Sequence, residues 1–104
     1  MPGRKRTLQG PVADASKRAA FDDWYGKEHL PDAVKTFGAQ RAWRCWSEAD
    51  PAVHQATYQM ADRAALDRAV NGEGMKRLVA DFDKAWPGIP RQREILRLVE
   101  ELGG

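Results

Sequence analysis

Between His54 and Met60 the side chains alternate strictly. His54, Ala56, Tyr58 and Met60 interleave with Gln55, Thr57 and Gln59. A period of two over seven residues specifies a strand with one largely apolar and one uniformly polar face. Such a strand needs partners along both edges and a cover on one side. Upstream, Ala39 to Glu48 carries Trp43, Cys45 and Trp46 among arginines and reads as a second strand, and Asp50-Pro51 supplies turn chemistry after it. The two form a hairpin.

The cover is legible as helices. Met75, Leu78, Val79, Phe82 and Trp86 recur at i, i+3, i+4, i+7 and i+11, an apolar stripe flanked by charged residues, so Glu73 to Trp86 reads as a helix lying on a sheet. Asp62 caps a preceding helix through Val70, and Asn71-Gly72 separates the two. Pro87-Gly88-Ile89-Pro90 ends the helical region, and Arg91 to Val99 follows as a last strand. Near the start, a strand is expected at about 5–9, then a helix from Ser16 to His29 capped by Asp14 or Ser16. Leu30 precedes a proline, which predicts that this helix ends or kinks there. Pro31 then starts a short second turn, Asp32 to Thr36, stopped by a left-handed Gly38.

The order is β-α-β-β-α-β, an α+β class, ferredoxin-like arrangement of a four-stranded antiparallel sheet with helices on one face. Residues 1–104 form one domain, with 1–4 and 100–104 expected to fray. The bare sheet face, with arginines, glutamines and tryptophans, suits packing against a second copy.

Charge and cysteine content exclude several classes. The net charge is only +2, and the basic excess sits in Arg4, Lys5, Arg6, Lys17 and Arg18, away from the tryptophans. That pattern does not predict nucleic-acid binding. A lone cysteine, Cys45, cannot close an internal disulfide and is expected to be a small half-buried residue in a reducing, cytoplasmic protein. No apolar run has the length of a membrane span, and no signal-type segment follows the basic start, so neither membrane nor export is expected. The histidines are far apart in sequence, and Asn71-Gly72-Glu73-Gly74 follows a helix instead of a strand, so no metal, nucleotide or other cofactor is expected.

Chemistry concentrates in Phe21-Asp22-Asp23-Trp24-Tyr25-Gly26-Lys27-Glu28-His29-Leu30-Pro31. On a helix Phe21, Trp24, Tyr25 and Glu28 share a face, and His29 lies one turn beyond Tyr25. The pattern Phe21-x-x-Trp24-Tyr25-x-x-x-His29-x-Pro31 resembles the signature helix of the EthD-like proteins, within the dimeric α+β barrel superfamily. The similarity extends over roughly 16–98, through Phe37-Gly38, the arginine- and aromatic-rich strand, and Leu78-x-x-x-Phe82-x-x-x-Trp86-Pro87. The first strand departs from the pattern, offering only Leu8 and Val12 where the family has an aliphatic run.

The resemblance implies a homodimer joined through its sheets and a pocket between sheet and helices. Relatives of this kind include cofactor-independent monooxygenases, cyclases, dehydratases and members without known activity. It assigns His29 as acid or base, with Tyr25 as its partner. Trp24, Trp43, Tyr58 and His54 are the candidate substrate-binding residues for a small apolar, aromatic or polyketide-like molecule. A histidine suits proton transfer near neutral pH. The alternative is that His29 caps a helix C-terminus and bonds a backbone carbonyl, the motif serving only the architecture of a non-catalytic dimeric module. A ligand-sized cavity reaching His29 favours the first reading. A space filled by Trp43, Trp46 and Phe82 favours the second.

Overall fold

The computed structural model describes residues 4–12 and 14–103, and side chains from Val12 onward within them. The strands β1 (Arg4–Pro11), β2 (Arg41–Trp46), β3 (Val53–Met60) and β4 (Gln92–Arg97) pair antiparallel in the order β2-β3-β1-β4. Arg4 lies opposite Met60 on β3 and Arg97 on β4, so β1 is central and longer than the stretch at 5–9 expected from sequence. In the hairpin Trp43 pairs with Thr57 and Trp46 with His54. The element order and sheet order are those of the ferredoxin-like arrangement.

The alternation on β3 sets which face is core, although Thr57 on the other face is buried as well. His54, Ala56, Tyr58 and Met60 are buried, and Gln55 and Gln59 stay partly open on the other face. Against the buried face lie α3 (Arg63–Asn71) and α4 (Glu73–Ala85). Asp62 caps α3 by accepting from the Ala65 amide at 2.8 Å. Met75, Leu78 and Phe82 turn the stripe of α4 into the core. Cys45 is exposed, not half-buried as expected, because on β2 it shares the open face of the sheet with Trp43 and the glutamines of β3.

The largest departure from expectation is at the proline. Asp14 caps a short 3-10 turn, Ala15–Lys17, by accepting from the Ser16 amide at 3.0 Å. The helix then runs as α1 (Arg18–Trp24), a π turn (Tyr25–His29) and α2 (Leu30–Phe37) without ending at Leu30. The Leu30 amide donates to the Tyr25 carbonyl, five residues back. The wide turn explains the tolerance of Pro31, whose ring would collide with a carbonyl four residues back in a tight α ladder. The helix stops only at Gly38, whose φ of 66° is left-handed as predicted.

Candidate functional site

The π turn sets the site. In an α-helix residues five apart point about 140° from one another, since each adds about 100°. Widening one turn brings Trp24 and His29 together instead. Their rings stack with centroids 4.8 Å apart and an interplanar angle of 20°. Tyr25 meets the same imidazole edge-on at 4.9 Å, as the i, i+4 spacing predicted, and Phe82 of α4 approaches it at 5.8 Å.

His29 is 6% exposed. Burial pushes its pKa down from 6.5 to about 4, against the attraction of Asp32 and Asp81, while Arg91 and Arg77 lower it further. The ring is therefore neutral near pH 7. Because the helix continues past it, His29 is not at a C-terminus, and no carbonyl among the described residues holds it.

His29 lines two spaces. An open cleft of about 400 Å³ runs between the first helix and α4, bounded by Trp24, Glu28, His29, Asp32, Asp81, Lys84 and Ala85. Its volume is that of a small-molecule site. One wall is aromatic. The others carry carboxylates and one ammonium. Asp32 is tied to α4 by a bidentate pair with Arg77, at 2.8 and 3.1 Å, which holds its carboxyl below the usual range. On the side toward the sheet, a partly open void of about 20 Å³ adjoins His29, Tyr58, Met75 and Leu78, with Arg91 and the exposed Arg93 at its border.

Tyr25 stands between the two histidines, with the His54 ring 4.7 Å away on its other side. Its hydroxyl is 3.2 Å from that of Tyr58, a hydrogen bond in which either oxygen can donate. His54 is buried and also pushed down to about 4, by burial first and then by the Arg44 charge. Arg44 Nη1 lies 3.2 Å from His54 Nε2 and 3.0 Å from Asp22 Oδ1, and its guanidinium sits 5.6 Å over the Tyr25 ring. Trp46 Nε1 donates to the same Asp22 oxygen at 2.8 Å, the main reason that carboxyl is held below its usual range.

Of the residues singled out from sequence, Trp24 and His29 meet at the cleft, and Tyr25, Tyr58 and His54 are buried behind them. Trp43 does not join them. It lies on the opposite face of the sheet, near Arg41, whose guanidinium is 5.8 Å from its ring. Sequence reasoning missed Asp81 and Lys84, which α4 brings to the mouth, and the Asp22–Arg44–Trp46 network. The available signal for that network was that Arg44 and Trp46 fall two apart on one strand face. The interior is filled by Phe21, Tyr25, Tyr58 and Phe82, with Phe21 also packing on Trp46 and Trp86 at 5.9 and 5.3 Å. Among the described residues no three ligand-type side chains gather as a metal site, and no helix is long and apolar enough to cross a membrane.

No family model matches the chain. It is 32% identical over 102 residues to core atranone cluster protein 1 of Stachybotrys chlorohalonatus, a match covering 94% of this chain and 41% of that protein. The chain thus spans about two fifths of the length of that relative. Among solved structures, a variant of SnoaB, a cofactor-independent oxygenase from Streptomyces nogalater, superposes with a TM-score of 0.75 at 13% identity, covering 100% of both chains. An EthD-family protein from Bacillus halodurans gives 0.67 at 18% identity over 96% of this chain and 99% of that one. The fold is the one that the resemblance to EthD-like proteins implied.

Proposed function

We propose that the chain is an EthD-like protein of small-molecule biosynthesis, in which His29 removes or returns a proton on an aromatic or polyketide-like molecule held in the cleft, without a cofactor. The observation carrying this reading is the neutral imidazole stacked on Trp24 at the wall of a cleft of about 400 Å³. At pH 7 the imidazole keeps a lone pair to accept a proton, and its lowered pKa, weaker than a free histidine's, favours quick return of that proton, while a planar ligand can lie along the aromatic wall. Loss of a proton beside a carbonyl leaves an enolate. Lys84 is the cation of the cleft that its oxygen can meet. Tyr25 fixes the imidazole by its edge-on contact, and His54 is less suited to act as base because Arg44 already occupies its Nε2. The similarity to a protein of the atranone cluster and to an oxygenase that works without a cofactor supports this class of role.

The working form in this proposal is a homodimer through the open sheet face, where Trp43 and Cys45 lie beside Gln55 and Gln59. One observation favours the second reading, a non-catalytic binding module: Phe21, Tyr25, Tyr58 and Phe82 fill the space between sheet and helices, leaving only the outer cleft for a ligand. Deuterium exchange at the activated methylene of an aromatic 1,3-dicarbonyl compound tests the choice. Wild type is expected to accelerate exchange and His29→Ala to lose that acceleration, while His54→Ala keeps it. Equal exchange with and without His29 would sink the acid/base role, and binding without any exchange would favour the module.

A further inference from the structure

His29 is the residue common to the cleft and to the inner void, so its imidazole is a partition between them. A neutral imidazole has one N–H and one lone pair, and serves as a base toward the cleft only when the N–H faces elsewhere. In many enzymes a carboxylate takes that N–H and fixes the tautomer. Here Asp32 is engaged by Arg77 and, like Asp81, lies on the cleft side. The inner side offers a hydroxyl instead. Tyr58 lines the void, and its oxygen is 3.2 Å from that of Tyr25. The void of about 20 Å³ exceeds the roughly 10–15 Å³ that one water needs, and it has polar groups on its boundary.

Resting on the base role given to His29 above, we propose that one ordered water in the inner void accepts the inner N–H of His29 and donates to Tyr58, which donates to Tyr25. The chain of donors runs one way, from imidazole to water to Tyr58 to Tyr25, and leaves the lone pair of the outer nitrogen toward the cleft. No proton is gained or lost in the resting state. When the outer nitrogen takes a substrate proton, the water and the tyrosine pair bear part of the new charge without a buried carboxylate. Arg91, at the border of the void, disfavours a cation there and so opposes accumulation of the imidazolium. Tyr58 is thus a positioning residue for His29.

The test is the tautomer ratio of His29, read from the ¹⁵N shifts of its ring in the labelled full-length chain at pH 7. Wild type should show one dominant tautomer and a cross-relaxation signal between the ring and a bound water. Tyr58→Phe removes a single hydrogen-bonding oxygen, so the ratio should fall by about fivefold, the worth of one hydrogen bond. Val79→Leu, which puts a methylene into the void, should lower the ratio similarly and remove the water signal. Equal tautomers in wild type, or an unchanged ratio in Tyr58→Phe with a native amide spectrum, would overturn the proposal. The base role can fail separately: a fixed tautomer with no deuterium exchange keeps the water chain and loses the base, and exchange with an unaffected tautomer does the reverse.

Discussion

Arg44 holds His54 through a hydrogen bond of 3.2 Å from Nη1 to Nε2. A guanidinium can only donate, so His54 accepts at Nε2 and carries its proton on Nδ1. Protonating Nε2 would break this bond and put two cations side by side.

Acid should therefore destabilise the fold through its two buried histidines. Both histidines have pKa values near 6.5 when unfolded and about 4 when folded, so the native state binds fewer protons between those values. The histidine contribution is full above about pH 6.5, falls as pH drops toward 4 with a slope of up to about 1.4 kcal/mol per pH unit for each histidine, and is constant below, where the depressed carboxyls of Asp22 and Asp32 take over the loss. Urea unfolding as a function of pH measures this. His54→Asn should reduce the slope, and an unchanged slope would contradict the burial argument.

Replacing Arg44 tests the network it centres. Arg44→Met keeps much of the stem but leaves Asp22 and His54 without their shared donor, at an expected cost of about 1–3 kcal/mol in chemical denaturation. Arg44→Lys should not restore the loss, because an ammonium cannot reproduce the planar fork over the Tyr25 ring. Full recovery with lysine would show that charge alone matters.

The contact between α2 and α4 allows a paired test. A Cβ on Gly74 would run into Cγ2 of Thr36. Gly74→Ala should destabilise by about 1–3 kcal/mol through overpacking, even though alanine is the better helix former. Thr36→Ser removes that methyl while keeping the hydroxyl that accepts from Arg77 at 2.9 Å. In the double variant the loss should largely disappear, and simple additivity of the two changes would refute the clash.

The open sheet face has its own check. Trp43→Glu places a carboxylate at the proposed dimer contact, on the face away from the core. Sedimentation at micromolar concentration should show dimers for the wild type and monomers for the variant, with the helical circular dichroism unchanged. A monomeric wild type would rule the proposed assembly out.

The strands and caps were legible because each rests on local chemistry. The alternation at His54–Met60, the cap at Asp62 and the stop at Gly38 all sit where their residues put them. The helix through Pro31 was not, since proline's conflict with a regular ladder is a local rule and the wide turn that relieves it depends on the packing of a whole segment. The same blindness hid the Trp24–His29 stack, which an α-helical period places on different faces. Tyr25 with His29 was visible because its spacing survives both helix types. The charged mouth of the cleft escaped because Asp81 and Lys84 lie about fifty residues from His29 in sequence, and only packing joins them.

The wide turn at Tyr25–His29 makes the cleft a matter of counting. Between Trp24 and Leu30 the chain carries one residue more than a straight ladder of the same rise needs. A variant shortened by one residue inside the turn would close an ordinary α-helix with indole and imidazole four apart on one face, whereas the present length wound as a straight α-helix would turn them about 140° from each other. The pairing of the two rings thus depends on the winding of this segment matching its length, and not on the residue types alone.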